Sequence, residues 1–259
     1  EAGINHGGNL KKALKLVDEA KIAGANAIKF QTYKTEKRVN IDSPIFKILK
    51  KCELQFEDFK IIKKYFNKKK IDFFSTPFDK DSVIFLNKLG VKLFKIASFD
   101  VSNFELIEEI SKTKKPVIVS TGMATLSEIK KVYKNFKRKK IKIILLHCIS
   151  SYPLKEEDSR LNNIKFLNKK FNCEIGLSDH TNDIKTSLIA YTLGVRIFEK
   201  HFRIEKDKSC VDYSVSLDKK QFLKMNQEME RIDKILGSIK FGVRNNEKNT
   251  KQFKRKKII

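Results

Sequence analysis

Residues 117–150, which read VIVSTGMATLSEIKKVYKNFKRKKIKIILLHCIS, decide the fold that we predict for this chain. An apolar run at Val117–Thr121 is followed by a stretch, Leu126–Phe136, whose apolar residues recur mostly every three positions, and then by a second apolar run at Ile143–Ile149. Consecutive apolar residues are typical of parallel strands that are covered on both faces. Apolar residues that recur about every three positions, as in the middle stretch, are typical of an amphipathic helix. The segment therefore predicts a strand, a helix and a second strand.

The same unit recurs on both sides of this segment. Further strands are predicted at Glu1–Gly3 (incomplete), Ala27–Gln31, Asp72–Thr76, Leu93–Ser98, Glu174–Asp179 and Val195–His201. Further helices are predicted at Leu10–Ala23, Lys80–Leu89, Phe104–Lys112, Ile164–Phe171, Ile184–Leu193 and Lys219–Leu236. The less regular segment 39–67 predicts an insertion and one helix.

Eight strands that alternate with helices, at intervals of about thirty residues, predict an α/β fold of the (β/α)8 TIM-barrel type over residues 1–240, with a truncated first strand. The alternative is a doubly wound open sheet. That fold is expected to carry a G-x-G-x-x-G turn after its first strand, and the sequence has none. Residues 241–259 are expected to be a linker.

The composition is strongly basic, with 56 Lys and Arg against 31 Asp and Glu and a net charge of +25 among 259 residues. Such a charge can indicate a nucleic-acid-binding module. However, only eight of the basic residues are Arg, which makes most bidentate phosphate and base contacts, and the lysines are dispersed over the predicted helices. We therefore expect no nucleic-acid partner.

Two further features bear on where the protein acts. The longest apolar runs are far shorter than the 18 or so residues that span a bilayer, so we expect no membrane segment. The four cysteines are widely separated and form no C-x-x-C pair, which favours a reducing, cytoplasmic setting.

In barrel enzymes the site is built at the carboxyl ends of the strands. All four histidines, His6, His147, His180 and His201, fall at or just after predicted strand ends. A single histidine there is more often structural, but four of four indicate that they converge on one rim.

Lysines inside apolar strands point to the same rim. Lys29, Lys95 and Lys200 lie within predicted strands, where a charge is costly unless it faces a site or reaches solvent. Polar groups suited to an anion lie at neighbouring strand ends, namely Gln31, Ser75, Thr76, Ser98, Ser120, Thr121 and Ser178. They predict a pocket for a phosphate or carboxylate, although such residues can also cap helices.

Acidic residues at these strand ends are Glu1, Asp100, Asp179 and Asp212. His180 and His201, on adjacent strand ends, are candidate ligands for a divalent ion with open positions. Two imidazoles without a firm carboxylate partner suit Mn²⁺ or Mg²⁺ acting as a Lewis acid.

Three weaker signals lie nearby. Ser120–Met123 leads into a helix and can offer backbone N–H groups to an anion. Asn5 can form an Asx turn or bind substrate, and the sequence does not separate these. Cys148 is interpreted as a small core residue, because no base and orienting group accompany it.

Eight motifs, in this order, resemble the sialic acid synthase family, which makes N-acetylneuraminic, legionaminic and pseudaminic acids. They are GINHGGN (Gly3–Asn9), IKFQTY (Ile28–Tyr33), FSTPFD (Phe74–Asp79), KIASFDV (Lys95–Val101), STGMATL (Ser120–Leu126), LLHCISSYP (Leu145–Pro153), GLSDHT (Gly176–Thr181) and EKHF (Glu199–Phe202).

The resemblance implies a metal-dependent condensation of phosphoenolpyruvate with an N-acetylated hexose, such as N-acetylmannosamine, to a nine-carbon 2-keto acid and phosphate. Legionaminic or pseudaminic acid synthesis is the alternative. It implies that His180 and His201 bind the metal. It implies a phosphoenolpyruvate site of Lys29, Gln31, Thr76, Lys95, Ser98, Ser120, Ser150 and Ser178. It implies that Glu1, Tyr152 and Asp212 contact the sugar or groups near its aldehyde.

The sequence departs from the family pattern in one loop and is expected to do so at its end. Cys210-Val211-Asp212 stands where members usually have Gly-Pro-Asp. The family usually carries a C-terminal antifreeze-like domain and forms homodimers, and we expect that domain to be absent from this chain. A Schiff-base aldolase that uses Lys29 or Lys95 as nucleophile is the other enzyme class that we consider.

Overall fold

Seven parallel strands form one curled sheet in residues 1–255, the part of the chain that the computed structural model describes. They are β1 (Ala27–Thr32), β2 (Asp72–Pro77), β3 (Phe94–Ile96), β4 (Val117–Ser120), β5 (Ile143–Cys148), β6 (Glu174–Asp179) and β7 (Phe198–Lys200). Their order in the sheet follows the order in the chain, and each neighbouring pair is parallel. All the carboxyl ends therefore lie along one edge.

Helices connect the strands. They are α1 (Leu10–Ile22), α2 (Thr35–Arg38), α3 (Phe46–Cys52), α4 (Phe56–Lys69), α5 (Lys80–Lys88), α6 (Phe104–Lys112), α7 (Leu126–Arg138), α8 (Asn162–Lys170), α9 (Lys185–Thr192) and α10 (Lys219–Leu236). Local chemistry sets several of their starts. At α7, for example, Thr125 and Glu128 each accept from the other's backbone N–H, which is a capping box.

Glu1–Gly3 lies between the two outer strands of the sheet. The Ala2 N–H donates to Lys29 O at 2.8 Å, and the Phe202 N–H, just beyond β7, donates to Glu1 O at 2.8 Å. Gly3 forms an isolated parallel bridge to Phe30. Seven of the eight predicted strands are therefore strands of the sheet in the described residues, and the segment predicted as the first forms this bridge.

Two predicted strands are shorter than expected. The segment Leu93–Ser98 contributes only Phe94–Ile96, because the chain turns into a short 3-10 helix at Ser98–Asp100. The segment Val195–His201 contributes only Phe198–Lys200. These early ends matter for the site, because they release Ser98 and His201 from the strands into the turns that follow.

The prediction of one helix in segment 39–67 was incomplete. A helical turn at α2 just precedes this segment, α3 lies within it, and α4 begins within it and ends at Lys69. Helix α3 is held by burial of Leu49 and Cys52 against Ile4, Tyr33 and Phe78, a small cluster separate from the main core. Those partners are distant in sequence, so local periodicity could not reveal the helix.

After α10, residues 237–255 are exposed and make only short turns. The predicted linker covers residues 241–259, of which residues 256–259 lie outside the described residues, and its role stays a prediction. None of the helices within residues 1–255 is both long enough and apolar enough to cross a bilayer.

Candidate active site

A pocket with a cavity volume of about 220 Å³ opens at the carboxyl ends of the strands. Each strand, or the turn directly after it, contributes at least one side chain to its wall. These side chains are Lys29 and Gln31 (β1), Thr76 (β2), Lys95 and Ser98 (β3), Ser120 (β4), Cys148 (β5), Ser178 and His180 (β6), and Glu199 and His201 (β7). Glu1, Tyr152 and Asp212 also line it.

The inner end of the pocket is a buried charge cluster centred on Glu199. Its two carboxylate oxygens lie 3.6 Å from Lys29 Nζ and 3.6 Å from Lys95 Nζ. Lys29 also forms an ion pair with Glu1. Each lysine side chain is therefore satisfied inside the protein by a carboxylate, which explains how the two charges are tolerated in apolar strands.

Burial and neighbouring charges shift the ionisation of this cluster. Burial alone would raise the pKa of Glu199, but Lys29 and Lys95 hold it below its ordinary value. Burial lowers the pKa of Lys29, and the nearby charge of Lys95 lowers it further. The carboxylate of Glu199 offsets only part of this decrease, so the pKa falls to about 7. The Lys29 amine is thus poised to exchange a proton near neutral pH.

Three hydroxyl groups surround the cluster. Lys29 Nζ donates to Thr76 Oγ1 at 3.1 Å, Lys95 Nζ donates to Ser120 Oγ at 2.7 Å, and Ser178 Oγ donates to Glu199 at 2.9 Å. Because β-strands alternate their side chains, all of these groups lie on the inner face of the sheet. Together they can surround an anion with donors.

Two imidazoles and a tyrosine form a second wall. The rings of His180 and His201 are 5.4 Å apart, and that of Tyr152 lies 4.2 Å from His180. His180 Nδ1 is 2.9 Å from Ile149 O, so it must carry the proton, because a carbonyl only accepts. His201 Nδ1 is buried and contacts Asp212 Oδ2 at 3.2 Å, outside hydrogen-bond geometry.

The donor set of this wall fits a divalent ion. Within residues 1–255 no hydrogen bond engages Nε2 of His180 or His201, and a proton on Nδ1 leaves Nε2 of a neutral ring free to bind a metal. Burial lowers the pKa of His201, despite the opposing charge of Asp212. No cluster of three or more potential ligands is preassembled in the described part of the chain. The two rings therefore suit an ion that keeps positions open for other ligands.

Gly122 sets the shape of the wall next to Lys95. Its N–H donates to Ser98 Oγ at 3.0 Å, and Ser98 Oγ in turn donates to Cys148 Sγ at 3.4 Å. A Cβ atom at position 122 would lie 2.3 Å from Ser150 Oγ and 2.8 Å from Ser98 Oγ. A larger residue here would displace both serine side chains, and Ser150 does not line the pocket.

We expect Gly122→Ala to lower the free energy of unfolding by about 1–3 kcal/mol, because the added methyl group overpacks this wall. Urea denaturation followed by circular dichroism measures the change. The double variant Gly122→Ala/Ser150→Ala removes the nearest clashing atom and should recover part of the loss. A Gly122→Ala protein as stable as the wild type would contradict this packing.

The prediction that four histidines converge on one rim was wrong for two of them. His147 Nε2 donates to Ser159 O at 2.8 Å and does not line the pocket. His147 and Cys148 are consecutive in β5, so their side chains point to opposite faces of the sheet. Cys148, which is opposite Ser178 on β6, faces inward. His6 lines a separate cavity, and burial lowers its pKa to about 4. Neither of them lines the candidate active site.

Other predicted rim residues also lie away from the pocket. Asp179 Oδ2 is 3.1 Å from Lys200 Nζ in a buried ion pair. Asp179 also accepts from the Thr181 N–H, and Lys200 donates to Thr181 O, so the pair stabilises the turn at Thr181. Asn5 bonds to Phe202 O and Ser216 Oγ and accepts from the Asp212 N–H, so it secures the loop that carries Asp212. Ser75, Asp100 and Thr121 are likewise absent from the pocket wall.

Three wall residues with titratable side chains, Glu199, Cys148 and Arg38, were not predicted as site residues. Glu199 was named only as part of the EKHF motif, although an inward His201 implies an inward Glu199 and an outward Lys200. The same alternation separates Cys148 from His147. Arg38 had no such signal, because it lies in the irregular segment after β1.

The fold and the pocket define an α/β enzyme whose site lies at the carboxyl ends of parallel strands. Comparison with known proteins makes this more specific. The chain belongs to the NeuB family, whose model matches residues 16–241. It is thus a member of the synthases of sialic-acid-like sugars, as the eight motifs predicted.

Characterised relatives cover most of the chain. It is 34% identical over 267 residues to the N,N'-diacetyllegionaminic acid synthase of Campylobacter jejuni, covering 96% of this chain and 80% of that protein. It is 36% identical over 252 residues to the pseudaminic acid synthase of the same species, with coverages of 92% and 74%. The crystal structure of N-acetylneuraminic acid synthetase from Leptospira borgpetersenii in complex with citrate is similar with a TM-score of 0.90 and 40% identity, over 97% of this chain and 88% of that one.

Proposed function

We propose that this protein condenses phosphoenolpyruvate with an N-acetylated amino sugar in its open-chain form, giving a nine-carbon 2-keto acid and phosphate. The observation that carries the proposal is the pairing, in one pocket, of a buried group of lysines and hydroxyls with two histidines whose Nε2 atoms make no hydrogen bond within residues 1–255. The first suits an anionic donor substrate, and the second suits a divalent ion. Membership of the NeuB family supports the same reaction class.

In this proposal the two lysines of the buried charge cluster around Glu199, Lys29 and Lys95, bind phosphoenolpyruvate. Lys29 and Lys95 lie next to the hydroxyls of Thr76 and Ser120, so an incoming anion meets charged and neutral donors together. Ser98 and Ser178 extend this surface, and Gln31 lies at its edge. Without substrate, the carboxylate of Glu199 stabilises the buried charges of Lys29 and Lys95. When the substrate binds, its anionic group replaces part of the contact between these lysines and Glu199.

The proposed reaction forms one carbon–carbon bond. C3 of phosphoenolpyruvate attacks the aldehyde carbon of the sugar, water adds at C2, and phosphate leaves by cleavage of its C–O bond. Glu1 and Asp212 line the same pocket, and within residues 1–255 Glu1 Oε1 is buried without a hydrogen-bond partner. We assign these carboxylates to sugar hydroxyl binding and proton transfer, and Tyr152 to the sugar wall.

His180 and His201 would hold Mn²⁺ or Mg²⁺. When bound, such an ion supplies a Lewis acid that stabilises negative charge on the aldehyde oxygen. The protein's own part is to fix both rings: Ile149 O orients His180, and Asp212 lies against His201.

N-acetylmannosamine and the diacetamido sugars that lead to legionaminic and pseudaminic acids are equal candidates for the acceptor. The relatives named for the latter two products are 34% and 36% identical to this chain, which does not separate them. A homodimer stays a prediction from the family resemblance.

One observation favours a second candidate, a Schiff-base aldolase. With its pKa near 7, the Lys29 amine has a substantial neutral fraction, as a nucleophilic lysine requires. Borohydride treatment with pyruvate separates the two functions. A covalent adduct on Lys29, seen by mass spectrometry, would support the aldolase, because the proposed condensation forms no imine.

The direct test is phosphate release from phosphoenolpyruvate with Mn²⁺ and each of these sugars in turn. We expect release with at least one sugar, and its absence with all of them would refute the proposal.

Lys95→Ala should raise the KM for phosphoenolpyruvate about 10- to 100-fold, because it removes a charged hydrogen-bond donor. Lys92→Ala, which removes an exposed lysine paired with Asp72, is the matched control and should behave as the wild type.

A further inference from the structure

Arg38 ends the short helix α2 and places its guanidinium on the pocket wall. The Cζ atom lies 3.6 Å from the ring centre of Phe78 and 4.6 Å from that of Tyr33. Nη1 donates to Gln31 Oε1 at 2.9 Å. The Tyr33 hydroxyl is itself anchored to Leu49 O at 2.9 Å. Arg38 is therefore held in one orientation by two aromatic rings and a side-chain amide.

This cation differs from the lysines of the same pocket. Lys29 and Lys95 each face a carboxylate inside the protein. Within residues 1–255, Arg38 forms no ion pair, and its hydrogen bond to Gln31 uses one of the five N–H donors of a guanidinium. Burial also lowers the pKa of Arg38, which reflects the cost of removing the charge from water.

A fixed, partly buried guanidinium with free donors is built to receive an anion. Its planar fork matches the oxygens of a phosphate group, which accept two parallel hydrogen bonds. Lys29 and Lys95 share their charge with Glu1 and Glu199, whereas no carboxylate within residues 1–255 forms an ion pair with Arg38. Arg38 therefore offers a phosphate group an additional, unpaired positive charge. Stacking on Phe78 keeps that charge in place before the ligand arrives.

We propose that Arg38 forms a phosphate-monoester subsite on the Gln31 and Phe78 side of the pocket. The assignment rests on the proposed function, because it presumes that substrates enter this pocket. Two substrates can bring the group: phosphoenolpyruvate carries one phosphate, and an acceptor sugar phosphorylated at its far end carries another. The chemistry is the same for both, and the experiment separates them.

The test is isothermal titration calorimetry of the chain with three ligands, which are phosphoenolpyruvate, N-acetylmannosamine 6-phosphate and unphosphorylated N-acetylmannosamine. Arg38→Met should weaken at least one phosphorylated ligand on the order of 10- to 100-fold and leave the neutral sugar unchanged. A loss confined to phosphoenolpyruvate assigns the subsite to the donor. A loss confined to the sugar phosphate makes Arg38 a specificity determinant for phosphorylated acceptors.

Two further variants make the result decisive. Lys37→Met removes an exposed charge from the same helix, one that pairs with Asp81, and should bind all ligands as the wild type does. Arg38→Lys keeps the charge but not the fork, and should fall between wild type and Arg38→Met. It also provides the measurement if Arg38→Met does not fold.

The inference is overturned if Arg38→Met, or the folded Arg38→Lys variant, binds both phosphorylated ligands as tightly as the wild type does. It is equally overturned if the wild type binds neither of them. Because calorimetry needs no turnover, a failure of the proposed condensation would show separately, as bound ligands without phosphate release.

Discussion

Glu199→Gln is expected to reduce phosphate release from phosphoenolpyruvate on the order of 1000-fold. The substitution keeps the shape of the side chain but leaves Lys95 without a carboxylate partner and Lys29 with Glu1 alone. Loss of one preorganised electrostatic contact in an active site costs about 2.7–4 kcal/mol of transition-state stabilisation, which lowers the rate about 100- to 1000-fold. Glu174→Gln, the same change at an exposed position that opens β6, is the matched control and should have little effect.

This variant should also change the pH dependence. Glu199 raises the pKa of Lys29 against the larger effect of burial, so its removal lowers that pKa below about 7. The ammonium form, which attracts the substrate anion, is then lost at a lower pH. The KM for phosphoenolpyruvate, measured as a function of pH, should therefore begin to rise at lower pH than in the wild type. An unchanged profile would mean that Glu199 does not control the charge of Lys29.

The second large effect is expected for His201→Ala. If His180 and His201 hold the divalent ion, loss of one ring removes half of the protein ligands. Ion-dependent phosphate release should fall on the order of 1000-fold, since a Lewis acid supplies several kcal/mol of stabilisation. Calorimetric titration with Mn²⁺ gives a readout that is independent of turnover, and its affinity should fall together with the activity.

His147→Gln is the control for this experiment, because His147 lies off the pocket and glutamine can still donate to Ser159 O. It should bind Mn²⁺ as the wild type does. If His201→Ala retains both full Mn²⁺ affinity and full phosphate release, the two histidines are not the metal site.

Strand periodicity and lysine placement could be predicted from the sequence because each depends on local chemistry. A run of apolar residues interrupted by Lys29 or Lys95 is unfavourable unless the lysine faces a polar site, and both lysines do face the pocket. His180 and His201 were selected because they fall at the ends of adjacent strands, and both line the pocket.

The errors came from treating every polar residue at a strand end as facing the site. Side chains alternate along a strand, so His147 and Cys148 cannot both point inward, and neither can Glu199 and Lys200. Applied strictly, the alternation would have selected Cys148 and Glu199. Arg38 was beyond sequence reasoning, because its position depends on Phe78 and Tyr33, which meet only in the folded protein.

The hydrogen bonds of Glu1 to the last strand have a consequence for folding kinetics. The Glu1 backbone nitrogen donates to Lys200 O, a contact that spans 199 positions of the chain. Closing a loop of that length carries an entropic cost of about 5 kcal/mol beyond a constant. On the ribosome, Glu1 must wait for β7 to emerge before its backbone can be paired. The ion pairs of Lys29 and Lys95 with Glu199 must wait for the same strand. The site is therefore among the last parts of the protein to mature, and a nascent chain interrupted before β7 leaves Lys95 without a carboxylate partner and Lys29 with Glu1 alone.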